Sequence, residues 1–582
     1  MGLKAALKAH GADQFDEAET HYRRAYQQGQ VNEIFFQNFG SLLKRQGKSD
    51  ESKKIFEEGI KRFPRHPGIL RNYANHLRKD RPCHAIELYL LAVRFGLGSE
   101  SHSAIVTECL DDLIELFRGQ GLRSWALALI EHELAYRSPS ALILMNLLLL
   151  MDSGEFPYES KQVVIDAINH YLKGASLLEA VTIDFSLATH YLAVTEHQKS
   201  LSYFQSGLDR IEAASSIPKP DRVKLQKLVD ANSWNFGCAS LASQNLQKGW
   251  KFFEHGLRTP ADGKQRWQRA LVKPFSANEL PLWRGERKPS QRLLLLEEQA
   301  IGDGMMFLTL APRLLEETSH LGIYLSPRLE AIYRRSFADE IKQQRISIYT
   351  RNDVLSGRLR ACEFDSQIPI GSICQHRFVH IDDYAPRVPI LVADEHAASR
   401  MRSEYLAVNQ TPKCLIGVSW QGGGRGFRIK QKSVAADLFA ELMLQHPEIR
   451  FIDLQYGNTE HQIKTWQQQG IDIVHDPRVN ALKNMDLWLS QVKACDAVIS
   501  VANTTIHGAG GLNLPTQCLL SIHSDLRWFV DPSVKCSYWY PSVGIARQSK
   551  TKNPSWQDAF KQVSEWLLAG CPIQFGPNGS CM

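Results

Sequence analysis

The sequence predicts an α plus α/β chain, with helical repeats first and then two units in which strands alternate with helices. Three observations carry this. Small and aromatic residues recur at offsets of 34 and 33 positions near the start of the chain. Near Pro274 the helical periodicity gives way to short apolar runs separated by helical stretches. Several of those runs end in glycine-rich or polar turns, the punctuation of strand-to-helix units.

In the first part, small residues stand at Ala18, Ser52 and Ala85, aromatics at Tyr22, Phe56 and Tyr89, and small residues again at Ala25, Gly59 and Ala92. Such a period belongs to a helix–turn–helix repeat whose small positions let paired helices approach while the aromatic fills the gap. Gly40 and Ala74 fall at the close-packing site of the first helix, and Pro64 where the second helix of a repeat ends. Weaker helical hairpins are expected through Asp111–Tyr136, Ser140–Tyr171, Thr182–Ile211 and Leu228–Leu257. The repeats offer a concave surface for a protein or peptide, or simply support their neighbour.

Composition sets limits. The 582 residues, 43% of them apolar, suit three or four soluble folded units. A formal net charge of +6, with basic residues spread along the chain, does not point to nucleic acid. Eleven cysteines without a CxxC pair or zinc spacing suit reduced thiols. The opening MGLKAALKAHGADQFDEAET turns acidic before a long apolar core, so no secretory signal is expected. Leu142–Met151 is too short to span a bilayer. A cytoplasmic protein with no transmembrane segment is expected, with peripheral attachment to the inner membrane left open.

Beyond Pro274, Arg292–Leu296 reads as a strand running into Glu297–Gly304 and then a helix from Met305 to about Glu317. Glycines on either side of Asp303 predict a tight turn that projects its carboxylate over the sheet edge. There it can take a proton from an attacking hydroxyl; the alternative is a carboxylate that only caps the helix. Cys414–Trp420 is a further strand, followed by Gly422, Gly423, Gly424 and Arg425, with Arg428, Lys430 and Lys432 close behind. Adjacent glycines with cations suit a nucleotide diphosphate, although such loops are also common as solvated surface. Phe451–Gly457 is a strand and turn carrying Gln455 and Tyr456, and Leu487–Cys495 is helical. Ala497–Val501 is a short apolar strand suited to a sheet covered on both faces. It opens through Asn503, Thr504 and Thr505, all helix-capping types, into a glycine-rich helix with His507 about one turn inside. Free amides there favour a diphosphate in the crevice at the strand ends; a plain helix start with a satisfied histidine is the other reading. Gln517–Ile522 is one more strand. Trp420, Tyr456 and Trp528 either pack on a base or sugar or belong to the core.

The repeats resemble tetratricopeptide repeats, with about three units well matched. Nine segments then occur in order: Leu246–Arg258 with Gly249–Trp250, Pro281–Gly285, Glu298–Asp303, Gly417–Gly423, Leu454–Gly457, Asn503–Pro515, Asp525–Trp528, Trp539–Ser542 and Arg547–Gln548. Together they resemble bacterial tetratricopeptide-repeat proteins that end in a heptosyltransferase-like glycosyltransferase domain of the GT-B class, related to glycosyltransferase family 9. That resemblance implies a TPR-like α-solenoid over residues 1–273 and two Rossmann-like halves, 274–400 on the acceptor side and 401–582 on the nucleotide-sugar side. It implies a donor held without a metal or other cofactor, Asp303 as general base, Lys432 on the donor phosphates, and Thr504 and His507 in the phosphate turn. With the residues read above, the donor side is expected to use Trp420, Gly422, Gly423, Arg425, Lys432, Gln455, Tyr456, Asn503, Thr504, Thr505 and His507.

One departure stands out: heptosyltransferases carry an aspartate where this chain has Asn503, and a neutral amide cannot do an ionic task. The expected activity is therefore transfer of a sugar from a nucleotide-diphosphate donor to a glycan, a lipid-linked saccharide or a protein. The rival is an interaction scaffold whose transferase fold no longer turns over. Protein O-glycosylation, as in repeat-bearing N-acetylglucosaminyltransferases, ranks lower on the turn around Asn503–His507.

Overall fold

The computed structural model describes residues 2–136, 143, 146–148, 150, 164–166, 168–170, 172–257, 269, 274–408, 412, 414–423, 427–523, 527–549 and 554–573. The chain forms two compact units. One comprises Met1–His190, Ser202–Ala231 and Thr259–Arg266; the other comprises Tyr191–Leu201, Asn232–Arg258 and Trp267–Met582.

The first unit is helical. Helices Gly2–Gly11, Phe15–Gln27, Glu33–Arg45, Ser49–Arg62, Pro67–Leu77, Pro82–Gly96, Ser103–Gly119 and Arg123–Tyr136 follow one another, each paired with its neighbour. Every small and aromatic repeat position read from the sequence is buried here, from Ala18, Tyr22 and Ala25 to Ala85, Tyr89 and Ala92. The close approach is real at Gly40, where an added Cβ would lie 2.5 Å from the Phe56 ring. At Gly59 it would lie 2.8 Å from Phe36 Cβ. Asn32 caps the third helix by accepting the Phe35 amide at 3.0 Å. The expected hairpin over 140–171 lies largely outside the described residues. Helices Leu177–Ala193, His197–Ala213, Lys219–Ala242 and Leu246–Phe253 complete the helical part.

The second unit holds two parallel sheets. Strands β1 (Arg292–Leu296), β2 (His320–Tyr324), β3 (Ile346–Tyr349) and β4 (Ser366–Pro369) run in the order β3-β2-β1-β4. Strands β5 (Cys414–Ser419), β6 (Ile449–Asp453), β7 (Ile473–Val474), β8 (Ala497–Val501), β9 (Thr516–Leu520) and β10 (Val543–Arg547) run in the order β10-β9-β8-β5-β6-β7. All pairings are parallel. The Leu293–Leu296 run and the whole of Ala497–Val501 are buried, as strands covered on both faces must be. Chain order reverses between β1 and β4 in the first sheet and between β5 and β8 in the second. In open parallel sheets the crevice at such a reversal, beyond the carboxyl ends of the strands, is where ligands bind.

The expected division at residue 273 differs from the compact units, because Asn232–Arg258 packs with the sheets. Trp250 and Phe253 are buried in the same core as Phe307 and Trp539, and Trp250 donates its indole N–H to Tyr384 Oη at 3.1 Å. The first reversal point is plugged by charge. Arg269, with no exposed surface, donates to Glu298 through Nε and Nη2, to Glu254 at 2.7 Å and to Ser372 Oγ at 3.0 Å. Its guanidinium also stacks over Phe253, 4.2 Å from the ring centroid. Among the described residues no helix is long and apolar enough to cross a membrane.

Removing one partner of such a pair strands the other charge in the core. Arg269→Met is expected to cost about 3–5 kcal/mol in urea denaturation, by leaving the Glu298 carboxylate uncompensated.

Candidate functional site

The second reversal point, between β5 and β8, is organised by Asn503. It caps the helix Thr504–Gly511, with Oδ1 accepting the Thr505 amide at 2.9 Å and the Ser500 hydroxyl at 3.1 Å. Its Nδ2 donates to Ser419 Oγ at 2.8 Å and to the Gln421 carbonyl at 3.0 Å. Both amide hydrogens are used, and β8 is tied to the end of β5. Gln455 repeats the device from β6: its Oε1 accepts from Ser419 Oγ, the Trp420 amide and the Gln421 amide, and its Nε2 donates to the Tyr456 carbonyl. Asp453 anchors that turn, taking the Gln455 amide on one oxygen, and Thr459 Oγ1 and His475 Nδ1 on the other.

Three of the residues expected on the donor side have structural partners here. Asn503 and Gln455 spend their side-chain amides bracing strand ends. Trp420 packs edge-on to Trp466 with centroids 4.7 Å apart and against Phe439, and it also lines the cavity at these strand ends. The difference between Asn503 and the aspartate of heptosyltransferases thus has a local reason: only an amide can donate to the Gln421 carbonyl.

The remaining expected residues fall around the same strand ends. The Gly422 amide donates to Ser433 Oγ at 3.0 Å, and a Cβ on Gly422 would lie 2.5 Å from Lys432 Cβ. Glycine is therefore needed for the loop to lie against the last turn of the helix Phe427–Lys432, which brings Lys432 to the site. Gly423 follows, and Tyr456 Oη donates to the Gly422 carbonyl at 3.4 Å. Arg425 lies outside the described residues. A cavity of about 280 Å³ opens here, lined among others by Gln421, Ser433, Asn458, Thr459 and Gln462. That is close to the lower end, about 300 Å³, for ligand sites.

On the first sheet the turn comes earlier than expected. The chain reverses at Gln299, with φ of +62°, and the helix already begins at Ile301. Asp303 is therefore inside the first helical turn rather than projecting from a glycine turn before it. Its Oδ2 accepts the Ala300 amide at 3.0 Å, and its Oδ1 is ion-paired with Arg527 Nη2. The helix-capping alternative describes this aspartate, with a guanidinium added. Arg527 also donates to Gln299 Oε1 at 3.2 Å. A carboxylate held on both oxygens is not poised to accept a proton in this arrangement. Arg527 stood in one of the motif segments, but nothing in its sequence context paired it with a residue more than two hundred positions away.

The two strand-to-helix turns face each other. A Cβ on Gly302 would lie 3.0 Å from His507 Cδ2 and 3.3 Å from Thr504 Oγ1, so the starts of helices Ile301–Leu308 and Thr504–Gly511 converge. His507 is buried and its Nδ1 is 3.2 Å from Tyr540 Oη. Tyr540 itself packs under Gly510, where a Cβ would lie 2.5 Å from the ring. Thr504 stays half-buried at the convergence, whereas Thr505 points into the core. Two helix N-termini with their partial positive charge, meeting beside a histidine, make a place suited to an anion.

No protein-family model matches the chain. It is 24% identical over 401 residues to Protein FlbA of Caulobacter vibrioides, covering 62% of this chain and 60% of that protein. The match thus spans about three fifths of the length of that curated relative. Among solved structures, the chain is similar to ADP-heptose LPS heptosyltransferase II of E. coli, with 13% identity and a TM-score of 0.33, covering 48% of this chain and 99% of that one. It is also similar to a tetratricopeptide repeat protein from Parabacteroides merdae, with 13% identity and a TM-score of 0.32, covering 44% of this chain and 90% of that one. The burial pattern of the repeats and the strand orders of the sheets, rather than these likenesses, carry the fold.

Asn503→Asp tests the bracing role. A carboxylate facing the Gln421 carbonyl loses a donor, and a loss of about 1–3 kcal/mol in urea denaturation at pH 7.5 is expected. Because that environment raises the folded-state pKa of the introduced carboxyl, the deficit is full above it and shrinks as pH falls and the proton returns. Denaturation at pH 5 should therefore bring the variant closer to wild type.

Proposed function

We propose that the protein is a glycosyltransferase that moves a sugar from a nucleotide-diphosphate donor to a glycan, lipid-linked saccharide or protein acceptor, without a metal. In this reading the two parallel-sheet modules are the Rossmann-like halves of a GT-B enzyme. Residues 274–400 serve the acceptor and 401–582 the donor, while the helical repeats recruit a partner or the acceptor. The work would be cytoplasmic. One observation supports this above the others: two helix N-termini meet at the carboxyl ends of two parallel sheets, with Gly302 set against Thr504 and His507.

The diphosphate would rest on the amides at Thr504, with His507 and Lys432 offsetting the charge that grows on the leaving group. Gly422 and Gly423 would let the backbone close on the phosphates, and the cavity beside Tyr456 would take the base. Asp303, which the resemblance offers as the base, would hold Arg527 at the floor of the cleft. The engagement of both Asp303 oxygens is also what a scaffold with an inactive transferase fold would tolerate. Donor turnover separates the two readings.

A thermal-shift screen of nucleoside diphosphates and sugar nucleotides, on wild type and on a Lys432→Ala, His507→Ala double variant, tests the donor site. One ligand series is expected to stabilise wild type, by about 2.7 kcal/mol at a hundred times its Kd, and to leave the double variant unmoved. Indifference of wild type to every sugar nucleotide would sink the proposal.

A further inference from the structure

We propose that Glu297 is the proton acceptor for the attacking hydroxyl. This rests on the glycosyl-transfer reading above. Glu297 directly follows β1, so it stands at the carboxyl edge of a parallel sheet, where the crevice lies. Its carboxylate lies over the start of helix Ile301–Leu308: a Cβ on Gly304 would be 2.9 Å from Glu297 Oε1. One oxygen, Oε2, is held by the Ser326 amide at the end of β2. Oε1 takes no hydrogen bond from any described residue, and Glu297 is only half-buried.

The contrast with the other carboxylates of the same turn is direct. Glu298 is locked to Arg269, and Asp303 is held by Arg527 and the Ala300 amide. Glu297 alone of the three keeps an oxygen for an incoming hydroxyl. Arg328, two residues beyond Ser326, reaches the Ala481 carbonyl at 2.6 Å, which ties the Ser326 turn to the second sheet's module.

Burial pushes the Glu297 carboxyl up to about 7, against the opposing pull of the Ser326 amide and Arg328. The titratable groups that feel it are Tyr324 on β2 and Tyr333 on the helix Glu330–Ser336. Tyr333 is fully buried, and among the described residues its hydroxyl has no hydrogen-bond partner. A carboxylate near neutrality is matched to general base work at physiological pH, since proton affinity and ionised fraction are then both substantial.

The step balances as follows. The acceptor oxygen forms a bond to the anomeric carbon as the bond from that carbon to the phosphate oxygen breaks. The electron pair leaves on the nucleoside diphosphate, and the hydroxyl proton passes to Glu297 and then to solvent.

The test measures nucleoside-diphosphate release from the sugar nucleotide that the thermal-shift screen selects, with water as the attacking hydroxyl, over pH 5.5–8.5, in wild type, Glu297→Gln and Glu297→Ala. In wild type kcat/KM should rise with pH through about 7, because the base works only when ionised. Glu297→Gln should lower kcat by about 10²–10⁴-fold and lose that limb while keeping the donor-induced thermal shift. Formate should restore part of the turnover of Glu297→Ala, which a purely structural defect would not allow. Turnover of Glu297→Gln within threefold of wild type would overturn the assignment and leave the transferase reading standing. A wild type that binds donor and turns over none of it would overturn both.

Discussion

A fully buried guanidinium must be matched or the core does not form, and Arg269 is that group here. It gathers Glu254 from the helical segment, Glu298 from the end of β1 and Ser372 from the end of β4. Three parts of the chain that are distant in sequence are fixed by one charge. The desolvation of such a cluster is large, and only complete hydrogen bonding offsets it. On the other side of β1, towards β2, the Ser326 amide holds one oxygen of Glu297.

The same logic of satisfied polar groups shapes the second sheet. Asn503, Ser419 and Gln455 tie together the ends of β5, β6 and β8, and their bonds are nearly all internal. A rigid rim of this kind is what a binding site needs beneath it, because it fixes where the amides of the following helix point. The residues that form the rim are then distinct from those that face a ligand. Thr504 and His507 stand where the two helix starts converge and Lys432 lies against Gly422, while Thr505 belongs to the interior.

Much of this was legible in the sequence where the signal is local. The repeat period located Tyr22, Phe56 and Tyr89 because an aromatic over a small residue is a contact between neighbouring helices. Strands β1 and β8 were plain because strands covered on both faces read as unbroken apolar runs. What sequence could not reveal were partners far apart in the chain: Arg527 with Asp303, Tyr540 with His507, Arg269 with Glu298. Asp303 was misplaced for a related reason. Flanking glycines suggested a turn, but the left-handed residue that makes the turn is Gln299, and the helix starts before the aspartate. Strand β7, only two residues long, gave no apolar run to read.

The division among the three acids of the Glu297–Asp303 turn follows from geometry rather than residue type. The Ala300 amide and the Arg527 guanidinium occupy the two oxygens of Asp303. Glu298 is spent on Arg269, where its value is to the fold. Glu297 receives one amide, lies against a glycine that leaves room for it, and is raised towards neutrality by burial. Carboxylates set in contrasting surroundings within one turn are how a single site separates a group that positions from a group that exchanges protons. The glycine at position 304 is part of that separation: any side chain there would press on Glu297 Oε1, the oxygen to which no described residue donates.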